Sequence, residues 1–337
     1  MSPARSPRSR PTPDPIAALP FDGPAFESRV TWIFGSPRTG STWLLRMLVH
    51  PLTAGEEPSG LKRKGRGTAT PAREIVVPVN ESHLPLHLTP RGKLRVEAGD
   101  QSDPDQFLLN SRHLHRPSYF FSDAHAEATW PWVRSMILAR FHSQAEAAMQ
   151  DYGAQDCAVV VKEPNGSHGA ARIMSLMPRA KLIFLIRDGR DVVDSALALR
   201  LPGGGRAHQG RGLRSDTGRL RYVKLGARLW VSRMNAVQRA YDAHDPDRRL
   251  QVRYEDLRSS TVEELSRIVE FLGLDRGRDD ITAAVEEQAY QSRGLKSKEG
   301  ESRQSASSGE WRTSLRPDEQ RAAEDIMGPK LAELGYN

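Results

Sequence analysis

Residues 30–48, VTWIFGSPRTGSTWLLRML, decide how the rest of this chain is read. The apolar run at 30–34 predicts a strand, a Gly-rich turn follows, and an amphipathic helix is expected over 41–49, stopped near His50-Pro51. Gly35, Gly40, Ser41 and Thr42 keep the G-x-x-x-x-G-x-[ST] frame of a phosphate-binding loop, with Ser36, Pro37, Arg38 and Thr39 between the glycines. Ser41 replaces the Lys that grips the β- and γ-phosphates of a nucleoside triphosphate, and the cation moves into the loop as Arg38. Backbone N–H groups and a helix N-terminus still suit an anion. The expected ligand is a phosphorylated nucleotide other than an ordinary triphosphate.

Outward from that stretch, the 337 residues carry a net charge of +7, and 38% of them are apolar. Mean hydropathy is −0.57, on the polar side, yet the chain is long enough to bury a substantial core. Basic residues are interleaved with acidic ones and no aromatic-basic RNA-binding motif occurs, so a small anionic ligand is favoured over nucleic acid. Cys157 is the single cysteine, which excludes an internal disulfide and a thiolate metal cluster; in the run CAVVV it reads as a buried small hydrophobe. His113 and His115 form an i, i+2 pair for which no third metal ligand is evident, so no metal is expected. No run approaches the length of a membrane span, and residues 1–25 read as a disordered Arg/Ser/Pro-rich tail without a secretory core. A cytoplasmic protein is expected; nothing sets its oligomeric state.

Strand and helix signals alternate beyond the loop. Residues 74–130 look irregular, rich in Pro and His, and a helix is expected from 130 to 152. Next come a strand at 158–161, a helix at 169–177, a strand at 181–186 and a helix at 191–199. The Gly-rich stretch 201–219 reads as a mobile loop before a helix over 220–244, a strand at 250–254, a helix opened by Ser260 or Thr261, and a last helix from Pro317. The pattern predicts one α/β domain over 26–337, a P-loop-like three-layer αβα arrangement around a central parallel sheet.

Four segments together, SPRTGSTWL (36–44), LIFLIRDGRDVVDS (182–195), VRYEDL (252–257) and SSGEWRTSL (307–315), resemble the sulfotransferase superfamily. The resemblance implies 3′-phosphoadenosine 5′-phosphosulfate (PAPS) as co-substrate, without a metal. It places the 5′-phosphosulfate in the 36–42 loop with Arg38 on the sulfuryl group, and the 3′-phosphate on Arg187 and Ser195. It also places Trp43 and Tyr254 beside the adenine. Arg190 and Asp191 read as structural, and Glu255 and Asp256 as local caps. Gly309, Trp311 and Arg312 fit the late G-x-W-K pattern, whereas Arg303 stands one residue out of register and Ser297 has no secure role.

Three residues compete as the base that takes the acceptor's proton. Glu57, in HPLTAGEEP, resembles the second Glu of the pair in the protein-tyrosine sulfotransferase branch and is preferred. Glu163, in VVVKEPN, comes next. His83, in SHLP, resembles the K-T-H-L-P segment of the steroid and phenol branch, but VVVKEP occupies that segment's usual place. Lys162 matches the Lys of N-K-D-P in the tyrosine branch, and a Lys ending a buried strand needs an anion beside it. Segments 59–156 and 200–249, including the basic loop at 62–73 and the WPW at 130–132, are left to shape a small-molecule, glycan or peptide hydroxyl acceptor site. A P-loop-type kinase and a non-catalytic nucleotide-binding protein are the alternatives; the first lacks its Lys and an identifiable Mg²⁺ carboxylate.

Overall fold

The computed structural model describes residues 14–49, 74–88, 91–93, 107–109, 118, 121–201, 215–295 and 308–336. In chain order they form α1 (Gly23–Glu27), β1 (Val30–Gly35), α2 (Ser41–Val49), β2 (Glu74–Asn80), α3 (Leu84–Leu88), β3 (Arg91–Lys93), β4 (Phe107–Leu109), α4 (Ala126–Tyr152), β5 (Asp156–Lys162) and α5 (Ala170–Leu176). Then follow β6 (Lys181–Ile186), α6 (Gly189–Ala198), α7 (Asp216–Ala243), β7 (Arg249–Arg253), α8 (Tyr254–Ser259), α9 (Thr261–Leu272), α10 (Arg278–Leu295), α11 (Trp311–Ser314) and α12 (Pro317–Glu333).

Five strands form one parallel sheet in the order β2-β5-β1-β6-β7, while β3 and β4 pair separately. Every residue of β1 is buried, as strands covered on both faces require. Trp32 and Phe34 join Val161 and Phe184 in a core closed by α4, α5, α6, α7 and α12. Ile33 points the other way, with Val160 and Ile183, into a core closed by α2, α9 and α10. This is the three-layer αβα arrangement expected from the sequence. Trp32 is fully buried, and truncating such a side chain to Ala costs ~3–5 kcal/mol. Because all five strands run parallel, their C-terminal ends lie along one edge, where open α/β sheets bind ligands.

Several elements differ from the sequence expectation. The stretch 74–130 is not irregular throughout, since it contains β2 and α3. Pro78 disguises β2, and β2 is an edge strand, the place in a sheet that tolerates proline. Helix α4 starts at Ala126, ahead of the expected 130, with no side-chain cap to announce it. Asp188 caps α6 from Gly189, and Ser215 caps α7 from Asp216, both earlier than expected. Ser260 makes no side-chain cap for α9, and α10 has no counterpart among the expected helices. Phe21 stacks on His142 of α4 with ring centroids 3.7 Å apart, ahead of the expected boundary at Phe26.

Candidate active site

The turn after β1 shows why its sequence has glycine at both ends. A Cβ on Gly35 would sit 2.3 Å from the Leu185 carbonyl oxygen of β6. Gly40 adopts φ +81°, and a Cβ there would meet the Tyr254 ring at 2.6 Å. Between them Arg38 takes φ +74°, an uncommon backbone for a residue with a side chain, and its side chain is exposed. Thr39 closes the turn on Ser36, its Oγ1 donating to the Ser36 carbonyl at 2.8 Å. From beneath, Gly35 N–H donates to Ser167 Oγ at 3.0 Å. Ser36, Thr39 and Ser41 are buried, whereas Arg38 and Thr42 reach the surface.

The next strand end, that of β6, leans on this turn. Arg187 is only 2% exposed; its Nη1 donates to the Arg38 carbonyl at 2.9 Å, and its guanidinium lies 4.5 Å from the Tyr254 ring centre. Arg38 Nε in turn donates to Ser195 Oγ at 2.9 Å. The turn, Arg187 and Ser195 therefore form one hydrogen-bonded unit, although they come from three places in the chain. Trp43 is half-buried and meets Tyr254 edge-on with centroids 6.2 Å apart. Tyr254 is itself buried, packed between Arg187 and Gly40.

Around this unit, Arg190 and Asp191 act as fasteners, in keeping with the structural reading. Arg190 pairs with Asp188 at 2.9 Å and Glu324 at 3.1 Å and lies over the Trp311 ring. Asp191 accepts from Gly309 N–H at 2.8 Å and Trp311 N–H at 3.3 Å, so the late G-x-W segment is tied to α6. Burial pushes the Asp191 carboxyl up, against those two bonds. Glu255 is not a local cap: it accepts from Asp188 N–H at 3.0 Å and from the Tyr336 hydroxyl at 2.8 Å. The last residues of the described chain thus brace the turn that carries Arg187.

A second group lies at the ends of β5 and β2. Lys162 is 3% exposed, and its Nζ donates to Glu81 Oε1 at 2.8 Å and Thr42 Oγ1 at 3.4 Å. The anion expected beside this Lys is thus an internal carboxylate. Asn165 Nδ2 donates to Glu81 Oε2 at 2.7 Å. Partial burial works to raise the Glu81 carboxyl, but the bonds from Lys162 and Asn165 outweigh it and hold it below the ordinary range. Glu81 is 27% exposed at its side chain, so it is open to a ligand. Sequence reasoning missed this residue. The available signal was the apolar run IVVPV (75–79) ending at Asn80-Glu81, obscured by Pro78.

Of the three bases named from sequence, two fall at this corner. Glu163 is fully buried, and burial pushes its carboxyl up. His83 is exposed, and its backbone N–H donates to Glu163 Oε2 at 2.7 Å. Glu57 lies outside the described residues, as do Arg303, Ser297, His113, His115 and the basic loop at 62–73. Within WPW, Trp130 packs beneath Arg172 and Phe121, while Trp132 is 54% exposed. Burial lifts the Cys157 thiol to about 11, which fits an inert core residue. Among the described residues no group of three or more His, Cys, Asp and Glu is placed to hold a metal, and no helix is long and apolar enough to cross a membrane.

A phosphate-type turn after the first strand of a parallel sheet, backed by an Arg and a Ser from the neighbouring unit, is an anion-binding arrangement. Residues 31–279 match the model of the sulfotransferase family, and the chain belongs to that family. It is similar to the sulfotransferase domain from the curacin biosynthetic pathway, at 18% identity, covering 91% of this chain and 97% of that one with a TM-score of 0.45. It is also similar to sulfotransferase STF9 from Mycobacterium avium, at 14% identity, 92% and 77% coverage and a TM-score of 0.49. A third is mouse sulfotransferase SULT7A1 complexed with PAP, at 12% identity, 90% and 85% coverage and a TM-score of 0.47. The chain matches no curated protein.

Proposed function

We propose that the protein transfers the sulfuryl group of PAPS to a hydroxyl acceptor, with Glu81 as the base. The observation that carries this reading is the placement of two groups side by side. A cradle of turn N–H groups, Arg38, Arg187 and Ser195 adjoins a Lys162–Glu81 pair through Thr42. The cradle suits a nucleotide with phosphates at both the 5′ and 3′ positions, because Arg38 in the turn after β1, Arg187 at the end of β6 and Ser195 on α6 converge there.

PAPS supplies the activated sulfuryl group on a phosphate leaving group. The turn N–H groups and Arg38 hold that end, and Arg187 with Ser195 holds the 3′-phosphate. Trp43 stands at the adenine side, with Tyr254 as its support. Glu81 removes the acceptor's hydroxyl proton as the new oxygen–sulfur bond forms and the bond from sulfur to the leaving phosphate oxygen breaks. Lys162 and Arg38 stabilise the charge that develops on the sulfuryl and leaving oxygens. The arrival of an anion draws Lys162 away from Glu81, and the carboxylate regains basicity as that contact weakens.

Glu81 is ionised at neutral pH and open to the surface, two requirements that fully buried Glu163 does not meet together. Glu57 is the competing assignment from sequence, and Glu57→Gln beside Glu81→Gln decides between them. The reading itself is tested by thermal stabilisation with adenosine 3′,5′-bisphosphate, AMP and Mg-ATP. A ligand at a hundred times its Kd adds ~2.7 kcal/mol. A shift with the bisphosphate that AMP does not reproduce is expected; a shift with Mg-ATP alone would overturn the reading in favour of a kinase.

A further inference from the structure

The turn that carries Glu81 has an unusual backbone. Glu81 and His83 both adopt φ +56°, in the left-handed region, on either side of Ser82. Two such residues so close together persist only where the surroundings over-determine them. Those surroundings converge on Glu163. Its Oε2 accepts from Ser82 Oγ at 2.9 Å and from His83 N–H at 2.7 Å, and Ser82 Oγ in turn accepts from Leu84 N–H at 3.3 Å. Glu163 is itself fixed: its N–H donates to the Ile33 carbonyl at 2.9 Å, and its carboxylate is fully buried. The other oxygen, Oε1, has no hydrogen-bond partner among the described residues and lies against Gly166, where a Cβ would come within 2.8 Å of it.

We infer that Glu163 is the positioning residue for Glu81: one buried oxygen clamps the Ser82-His83 turn, and the clamped turn aims the Glu81 carboxylate at Lys162. This rests on the reading of Glu81 as base and extends it to the residue that sets its direction. Lys162 and Glu163 are consecutive, so the strand end that supplies the cation also supplies the clamp. Any residue change that keeps an acceptor at Oε2 keeps the clamp. Burial, which favours the uncharged carboxyl here, is compatible with a role that needs an acceptor and no charge. Gln at 163 fits this requirement, because its carbonyl can take both bonds while its amide replaces Oε1.

The test compares Glu163→Ala, Glu163→Gln and Ser82→Ala in the full chain, with two readouts. One is turnover of PAPS to the bisphosphate, with water as acceptor; the other is amide hydrogen exchange of the 79–85 peptide. Glu163→Ala is expected to lower kcat by ~100-fold, the scale of a misplaced catalytic group, with KM for PAPS within about threefold and faster exchange in 79–85. Glu163→Gln is expected to restore both the rate and the protection. If Gln loses as much kcat as Ala while 79–85 stays protected, Glu163 acts through its charge and the inference is overturned. Unchanged kcat and exchange in Glu163→Ala would overturn it as well. Should Glu163→Ala fail to fold, Ser82→Ala removes one of the two clamped donors; faster exchange and a partial loss of kcat support the clamp, and no change in either refutes it. Exchange is read without any ligand. A wild-type protein that ignores the bisphosphate would therefore sink the PAPS reading, while the exchange rates would still decide for or against the clamp.

Discussion

The cradle after β1 and the Glu81 corner lie side by side on one sheet edge but are built on different plans. The cradle is a short turn, closed by glycines where β6 and Tyr254 approach, onto which the side chains of Arg38, Arg187 and Ser195 are bonded. The corner is mainly side chain: Glu81, Lys162 and Asn165 meet because β2 is registered on β5 with Asn80 opposite Lys162. The corner depends on register and on the turn bonded to Glu163.

The sharpest separation of the two comes from Glu81→Gln. Turnover is expected to fall by ~100- to 10,000-fold, the range for loss of a general base, while the melting shift with adenosine 3′,5′-bisphosphate stays at the wild-type value. Loss of both together would break the comparison. Arg187→Lys attacks the other half. It removes the planar fork from a group that bonds the Arg38 carbonyl, and affinity for the bisphosphate should drop roughly 10- to 100-fold by calorimetry while affinity for AMP changes much less. Gly40→Ala tests the turn itself. A Cβ at φ +81° adds ~1–2 kcal/mol of strain before the contact with Tyr254 is counted, so bisphosphate affinity and melting temperature should both decrease.

The smallest effect concerns His168, just behind the corner. Burial, aided by Arg233 and Arg239, depresses its pKa to about 3 from an ordinary 6.5. The unfolded chain therefore binds a proton between those values that the folded chain refuses, and stability falls as pH drops below about 6.5. His168→Gln should flatten the melting-temperature profile between about pH 6.5 and 4, with the bisphosphate shift at pH 7.5 intact. An unaltered acid slope would show that His168 does not set it.

The two plans also explain what could be read from the sequence. Gly35, Arg38 and Gly40 stand in one short loop whose spacing is legible, whereas Arg187 and Ser195, 149 and 157 positions from Arg38, are joined to it in the sequence only by the family resemblance. Glu81 and Lys162 are 81 positions apart and gain meaning only from the β2–β5 ladder. Pro78 makes that strand look like a loop, although its place at the sheet edge is what permits the proline. Glu163 stands out as a carboxylate beside a Lys, yet its burial cannot be seen in VVVKEPN, and burial turns a candidate base into a clamp. Glu255 misleads in the same way: its partners Asp188 and Tyr336 are 67 and 81 residues away.

Within the sheet, β2 has a single neighbour, β5, whereas β1 and β6 are each held from both sides. Peripheral strands detach at lower free energy than central ones. Opening at the β2 edge would carry Glu81 away and leave the turn after β1 in place, whereas opening at the other edge strand, β7, would disturb Tyr254 beneath that turn. Where the β2 edge opens first, warming should abolish turnover before it abolishes the melting shift with adenosine 3′,5′-bisphosphate, passing through a state that binds and does not react.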